Sequence, residues 1–128
     1  MIIVDTNILL RYLLEDNEEL SPKAIEIMDN NEVFIPTEVI VEVSYVLKKV
    51  YNVEKGKIYE AIKLLLDMDD VKFQNKDTIE LAFNIYSEKN LDIVDCMLFA
   101  YNKNENYDIK TFDKKLDRLI NEYKINKK

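Results

Sequence analysis

Asp5, Glu42, Asp95 and Asp113 stand in a chain of 128 residues that holds one Cys and no His. Without imidazole, Ser–His and Cys–His nucleophiles and His-based nuclease chemistry are excluded, because each needs a base that titrates near neutral pH. Cys96 alone cannot supply a thiol-rich zinc site. Hydrolysis by such a chain has to rest on carboxylates, on a Lys or Tyr of shifted pKa, or on a divalent cation that acidifies water. Placement is what singles these four acids out.

Asp5 ends the apolar run MIIV and precedes the helical segment TNILLRYLL, with no basic residue beside it. Glu42 lies in TEVIVEVSYVLKKV, where Val39, Val43, Val46 and Val50 recur at helical spacing and put Glu42 on the edge of an apolar stripe. Its neighbours one turn away are Glu38, Val39, Tyr45 and Val46, none of them a cation. Asp95 follows Asp92 by three in LDIVDCMLFA, and Asp113 stands in IKTFDKKLDRL. Each acid also has an ordinary reading. Asp5 and Asp113 suit helix caps, Asp92 suits an N-cap, and an acid at the third helical position gains ~0.3–1 kcal/mol from the macrodipole.

The elements that must position them alternate between short β-type runs and longer amphipathic stretches. Strands are predicted over residues 2–4, 33–35, 71–73 and 109–110, with helices between them. That succession favours an α/β fold, a mostly parallel central sheet between helical layers in a three-layer α/β/α sandwich. Ser21 before Pro22, Thr37 after Pro36, and Asp77 with Glu80 three residues on read as helix starts, and Asn90 as a left-handed helix end. With one Gly and two Pro there is no linker and no glycine-rich phosphate loop, so residues 1–128 are expected to form a single domain. Ligands of doubly wound sheets gather at the carboxyl ends of strands. Asp5 and Asp113 are expected there, the helix starts at Thr37 and Asp92 on the same edge, and the four acids are then expected to converge. Like charges so placed repel unless a cation joins them, and an oxygen-only donor set suits Mg²⁺ or Mn²⁺.

In this order, IIVDTNILL, IPTEVIVEVSYVL, LDIVDCMLFA and IKTFDKKLDRL resemble the acidic motifs of the PIN domain, a nuclease fold best known from VapC-like toxins of toxin–antitoxin pairs. The resemblance runs over nearly the whole chain. It implies a parallel sheet between helices, a divalent metal, ribonuclease activity, a homodimer and a small antitoxin partner with a basic tail. Position by position, Asp5, Glu42 and Asp95 match the family's principal acids and Asp113 its more variable fourth. Thr6, Asn7 and Thr111 match accompanying polar positions, although short polar residues at helix starts also serve as plain caps. Asp92 is left as a cap or a supporting residue.

A net charge of -7 argues against a broad basic nucleic-acid coat but not against a nucleic-acid enzyme, since carboxylates around a cation count as negative in the sum. Lys110, Lys114, Lys115 and Arg118 could hold flanking RNA or form a solvated face. Tyr45, Tyr51, Tyr59 and Tyr101 suit packing or a dimer seam better than base stacking, and Cys96 suits a buried core position. No apolar stretch approaches the ~18–20 residues that span a bilayer, and the N-terminus lacks a signal-peptide pattern, so a cytoplasmic protein without membrane contact is expected. Three alternatives stay open: a free-standing RNA-processing nuclease, a receiver-like phosphoacceptor and a non-catalytic PIN-like scaffold. The receiver reading lacks the paired acids it wants after the first strand, and the scaffold reading expects lost acids where all four are present.

Overall fold

The computed structural model describes the backbone of residues 1–126 and the side chains of residues 1–123. It forms two compact units, Met1–Gln74 and Asn75–Lys128. The first unit runs β1 (Ile2–Ile3), α1 (Thr6–Leu14), α2 (Leu20–Asp29), β2 (Val33–Phe34), α3 (Thr37–Lys49), α4 (Lys55–Leu66) and β3 (Val71–Lys72). The second holds α5 (Lys76–Glu88), α6 (Ile93–Glu105) and α7 (Lys114–Asn126).

In the first unit the strands form one parallel sheet in the order β1-β2-β3. Ile2 pairs with Val33 and Val33 with Val71, so one register line crosses all three strands. Parallel neighbours need a long crossover, and here each crossover is a pair of helices, α1–α2 and then α3–α4. Val4, Val33, Ile35 and Val71 are buried from the sheet segments, and Leu9, Ile40, Val43, Ile58, Ile62 and Leu65 from the helices. Ile58, Ile62, Leu65 and Leu66 repeat at the spacing that puts one stripe of α4 in the core.

The second unit is helical among the described residues, with α6 packed between α5 and α7. Phe83 meets Tyr86 and Phe99 meets Tyr123 edge to face, with centroids 5.9 and 4.8 Å apart. Thr78 Oγ1 donates to Glu105 Oε2 at 2.8 Å, and Lys103 Nζ donates to the Ile120 carbonyl at 3.0 Å, tying α5 to α6 and α6 to α7. Cys96 is fully buried, as its neighbours in sequence suggested.

The fold class follows expectation, and several local features do not. Residues 109–110 form no strand. After the left-handed Asn106 closes α6, the chain runs irregularly to α7, because Ile109 and Lys110, one apolar and one charged, cannot make a ladder without a pairing neighbour. Ser21 is not the cap of α2. It lies inside that helix, buried, donating to the Arg11 carbonyl at 2.8 Å, while the Asn17 side chain accepts from the Glu19 and Leu20 amides. Pro36, not Thr37, holds the N-cap position of α3. Asn90 is not left-handed; Glu15, Asn52 and Asn106 are the described non-glycine residues with positive φ. Asn75, not Asp77, caps α5, accepting from the Thr78 amide at 3.1 Å. Asn75→Ala is therefore expected to cost ~1 kcal/mol in urea denaturation and Asp77→Ala only a few tenths. A larger loss from Asp77→Ala would restore the capping box.

Candidate active site

Two half-sites can be built from the residues upward, one in each unit. In the first, the chain leaves β1 through the buried Val4, and Asp5 turns extended (φ -90°, ψ 177°) as the N-cap of α1. Its Oδ1 accepts from the Ile8 amide at 3.0 Å. A carboxylate carries lone pairs on both oxygens, so the cap role leaves capacity for another partner. Thr6, the first helical residue, donates from its hydroxyl to Glu42 Oε1 on α3. That bond brings the residue after Asp5 and the second candidate acid into one cluster. Asn7 is exposed in the same first turn.

Glu42 reaches this position because α3 is rotated relative to the predicted stripe. Its buried face is Ile40, Val43, Ser44 and Leu47, whereas Val50 is 69% exposed. At about 100° per residue, Glu42 then lies nearly opposite the core and is exposed rather than set on an apolar edge.

The second half-site is acidic and short of donors. Asp92 is the N-cap of α6 but makes no side-chain capping bond, and Asp95 stands in the first turn. Asp95 is half-buried, and its pKa is held above the ordinary carboxylate range first by burial, then by Asp113, then by Asp92. Both charged neighbours carry the same sign, and no Lys or Arg forms an ion pair with any of the three among the described residues. Asp113 caps α7 rather than ending a strand: its Oδ1 accepts from the Leu116 amide at 2.9 Å. Its own amide donates to Thr111 Oγ1 at 2.9 Å, so Thr111 fixes the approach of the chain to the cap.

The structure thus brings Thr6 beside Glu42 next to Asp5, and Asp95 into the field of Asp113 and Asp92. The donor chemistry fits a hard divalent cation, being all oxygen with no imidazole or thiolate. Within neither unit do three such side chains, among the described residues, gather tightly enough to enclose an ion.

The remaining candidates divide. Lys110, Lys114, Lys115 and Arg118 are all exposed. Tyr51 accepts at its hydroxyl from Arg11 at 2.7 Å, the Lys63 ammonium lies over Tyr59, and Tyr101 stands edge to face against Tyr107, so these three rings serve contacts within the chain. Tyr45 is exposed. Nothing in the sequence pattern singled out Phe112, yet its ring is fully exposed between Thr111 and Asp113. The available signal was an aromatic residue set among Lys, Thr and Asp, outside any periodic run.

A model of the PIN domain family matches residues 2–121, a span that includes all four acids and reaches into both units. The chain is also 30% identical over 107 residues to a protein named VapC ribonuclease from Aquifex aeolicus (strain VF5), covering 76% of this chain and 75% of the relative. Among the described residues, no helix is long and apolar enough to cross a membrane.

Proposed function

The chain belongs to the PIN domain family, and on that premise we propose that it is a divalent-metal-dependent endoribonuclease, the toxin of a VapBC-type toxin–antitoxin pair. The observation that carries the reading is Asp95, half-buried beside two further carboxylates and, among the described residues, in no ion pair with a Lys or Arg, an arrangement that a bound cation relieves. In this reading one PIN-like domain spans residues 1–128, and Asp5, Glu42 and Asp95 hold Mg²⁺ or Mn²⁺ directly or through water. Asp113 orients water or tunes the electrostatics, and Asp92 supports the start of α6. A divalent cation held there supplies charge stabilisation for the phosphodiester and acidifies the attacking water. Thr6 keeps Glu42 in place, Thr111 keeps Asp113 in place, and Asn7 offers a side-chain amide to a phosphate oxygen.

The name of the Aquifex relative supports the ribonuclease class, and the net charge of -7 suits an antitoxin whose basic tail enters the acidic site. The protein is read as a cytoplasmic homodimer. The direct test is cleavage of single-stranded RNA in Mg²⁺ or Mn²⁺, expected to stop in EDTA and return when metal is restored. Cleavage that continues unchanged in EDTA would overturn the metal-dependent reading. A basic peptide from the neighbouring gene product should inhibit, and salt should loosen it. Failure of that inhibition alone would leave a free-standing RNA-processing nuclease.

A further inference from the structure

The connection between α5 and α6 and one face of α7 line a cavity of about 260 Å³ in the second unit. The connection contributes Lys89, Asn90 and the buried Leu91; α7 contributes Lys115, Arg118 and Glu122, whose spacing puts them on one side of the helix. In a chain of net charge -7, a hollow with three cations and one carboxylate is a local reversal of sign. Neither Lys115 nor Arg118 forms an ion pair among the described residues. The cavity also borders the acidic half-site. Leu91 immediately precedes Asp92, and Lys115 follows Asp113 by two residues, no more than ~8 Å along the chain. Phosphates recur every ~3.4 Å of axis along one strand of a B-form duplex and farther apart along an extended single strand, so a strand engaged at Asp95 and Asp113 passes this cavity within a few nucleotides.

We propose that the cavity binds one sugar–phosphate unit of the RNA strand beside the unit that is cleaved, an assignment that rests on the ribonuclease reading above. The carboxylates of the half-site repel a phosphate until a cation is bound, so substrate affinity needs an anchor away from them. The Arg118 guanidinium offers a planar pair of donors to phosphate oxygens, and Lys115 adds a mobile ammonium. Glu122 repels a second phosphate and accepts a hydrogen bond from a ribose 2′-hydroxyl, a donor that DNA lacks. A volume below the ~300–1,000 Å³ of ordinary small-molecule sites suits a sugar–phosphate with its base outside. A basic antitoxin tail would be repelled by the same cations.

The test is binding of a fluorescein-labelled, random-sequence single-stranded RNA, followed by anisotropy in EDTA so that cleavage does not intervene. The combined substitutions Lys115→Gln and Arg118→Gln are expected to lower affinity about tenfold and to reduce the slope of log K against log salt by ~0.7, the value for one phosphate on a single strand. Lys23→Gln with Lys57→Gln, on the first unit, should change neither. Glu122→Ala, which removes the acceptor, should narrow the preference for RNA over DNA of the same sequence. In Mg²⁺ the loss in the double variant should fall on KM rather than kcat. If the wild type cleaves RNA and the double variant binds as tightly as it does, the cavity assignment alone is wrong. RNA binding that persists while binding of a protein partner is lost also overturns it, giving the surface to that partner. A wild type that neither binds nor cleaves RNA removes the ribonuclease reading and this inference together.

Discussion

Asp5→Asn, Glu42→Gln and Asp95→Asn are each expected to leave a folded chain whose RNA cleavage in Mg²⁺ falls by a hundredfold or more, roughly 2.7 kcal/mol of lost transition-state stabilisation. The test is sharp because two of the four acids are helix caps. Asp5 accepts from the Ile8 amide and Asp113 from the Leu116 amide, and Asn can make either bond through its side-chain carbonyl. Asp and Asn cap about equally well, so a residue that only caps changes stability by a few tenths of a kcal/mol and leaves the rate alone. A metal ligand behaves otherwise, since the amide takes a negative charge out of the cation's ligand set with little change of shape. Glu42→Gln keeps an acceptor for the Thr6 hydroxyl and so separates the loss of charge from the loss of that bond. Asp113→Asn is expected to be milder and Asp92→Asn milder still. Single-turnover cleavage with circular dichroism on the same samples reads both quantities. Asp95→Asn cleaving at the wild-type rate while Asp5→Asn does not would reduce Asp95 to a residue of the first helical turn.

The local placement of three of the candidate acids, Asp5, Asp95 and Asp113, was largely legible because they sit at helix starts, and boundaries leave marks. The run MIIV followed by D placed Asp5 at the end of β1, and the spacing of Asp92 and Asp95 placed the second within the first turn of α6. The rotation of α3 was not legible. In VIVEVSYVL the sets Val39-Val43-Val46-Val50 and Ile40-Val43-Leu47 are equally apolar, and only tertiary packing selects between them. The choice moved Glu42 from the edge of the core to the exposed side, where Thr6 meets it. Residues 109–110 misled for a related reason. Two residues hold too little periodicity to separate a strand from an extended connection, and strand pairing depends on partners remote in sequence. The cap of α2 was missed because Ser-Pro is a strong local signal, yet the side chain of Asn17 satisfies the free amides one turn earlier. The cavity beside α7 was half visible. Lys115 and Arg118 stood out as a charge run and Glu122 shares their helix face by spacing, whereas Lys89 joins them only through the packing of the second unit.

Mg²⁺ is expected to raise the melting temperature of the wild type, and in doing so to reverse the order of wild type and Asp95→Asn. Burial and the charges of Asp113 and Asp92 hold the Asp95 pKa above its ordinary value, so the folded chain binds this proton more tightly than the unfolded chain. The sign follows from linkage: wild-type stability falls as pH rises through the window between the ordinary and the raised pKa, and the cost is fully present above it. In EDTA at neutral pH, Asp95→Asn should therefore melt higher than the wild type. That advantage should shrink as pH falls and vanish below the ordinary value of about 3.8. A cation that binds only the folded state adds RT ln(1 + [L]/Kd), ~2.7 kcal/mol at about 100 times Kd, which for a chain of this size is on the order of 10 °C. The variant has lost a ligand and a charge, so its gain should be much smaller, and the wild type should melt higher once Mg²⁺ is present. Asp5→Asn should lose part of the same response. Melting curves across pH with and without Mg²⁺ at low ionic strength decide the matter. Equal Mg²⁺ responses in Asp95→Asn and the wild type would show that Asp95 does not touch the ion, and that its raised pKa records only crowding among neighbouring acids.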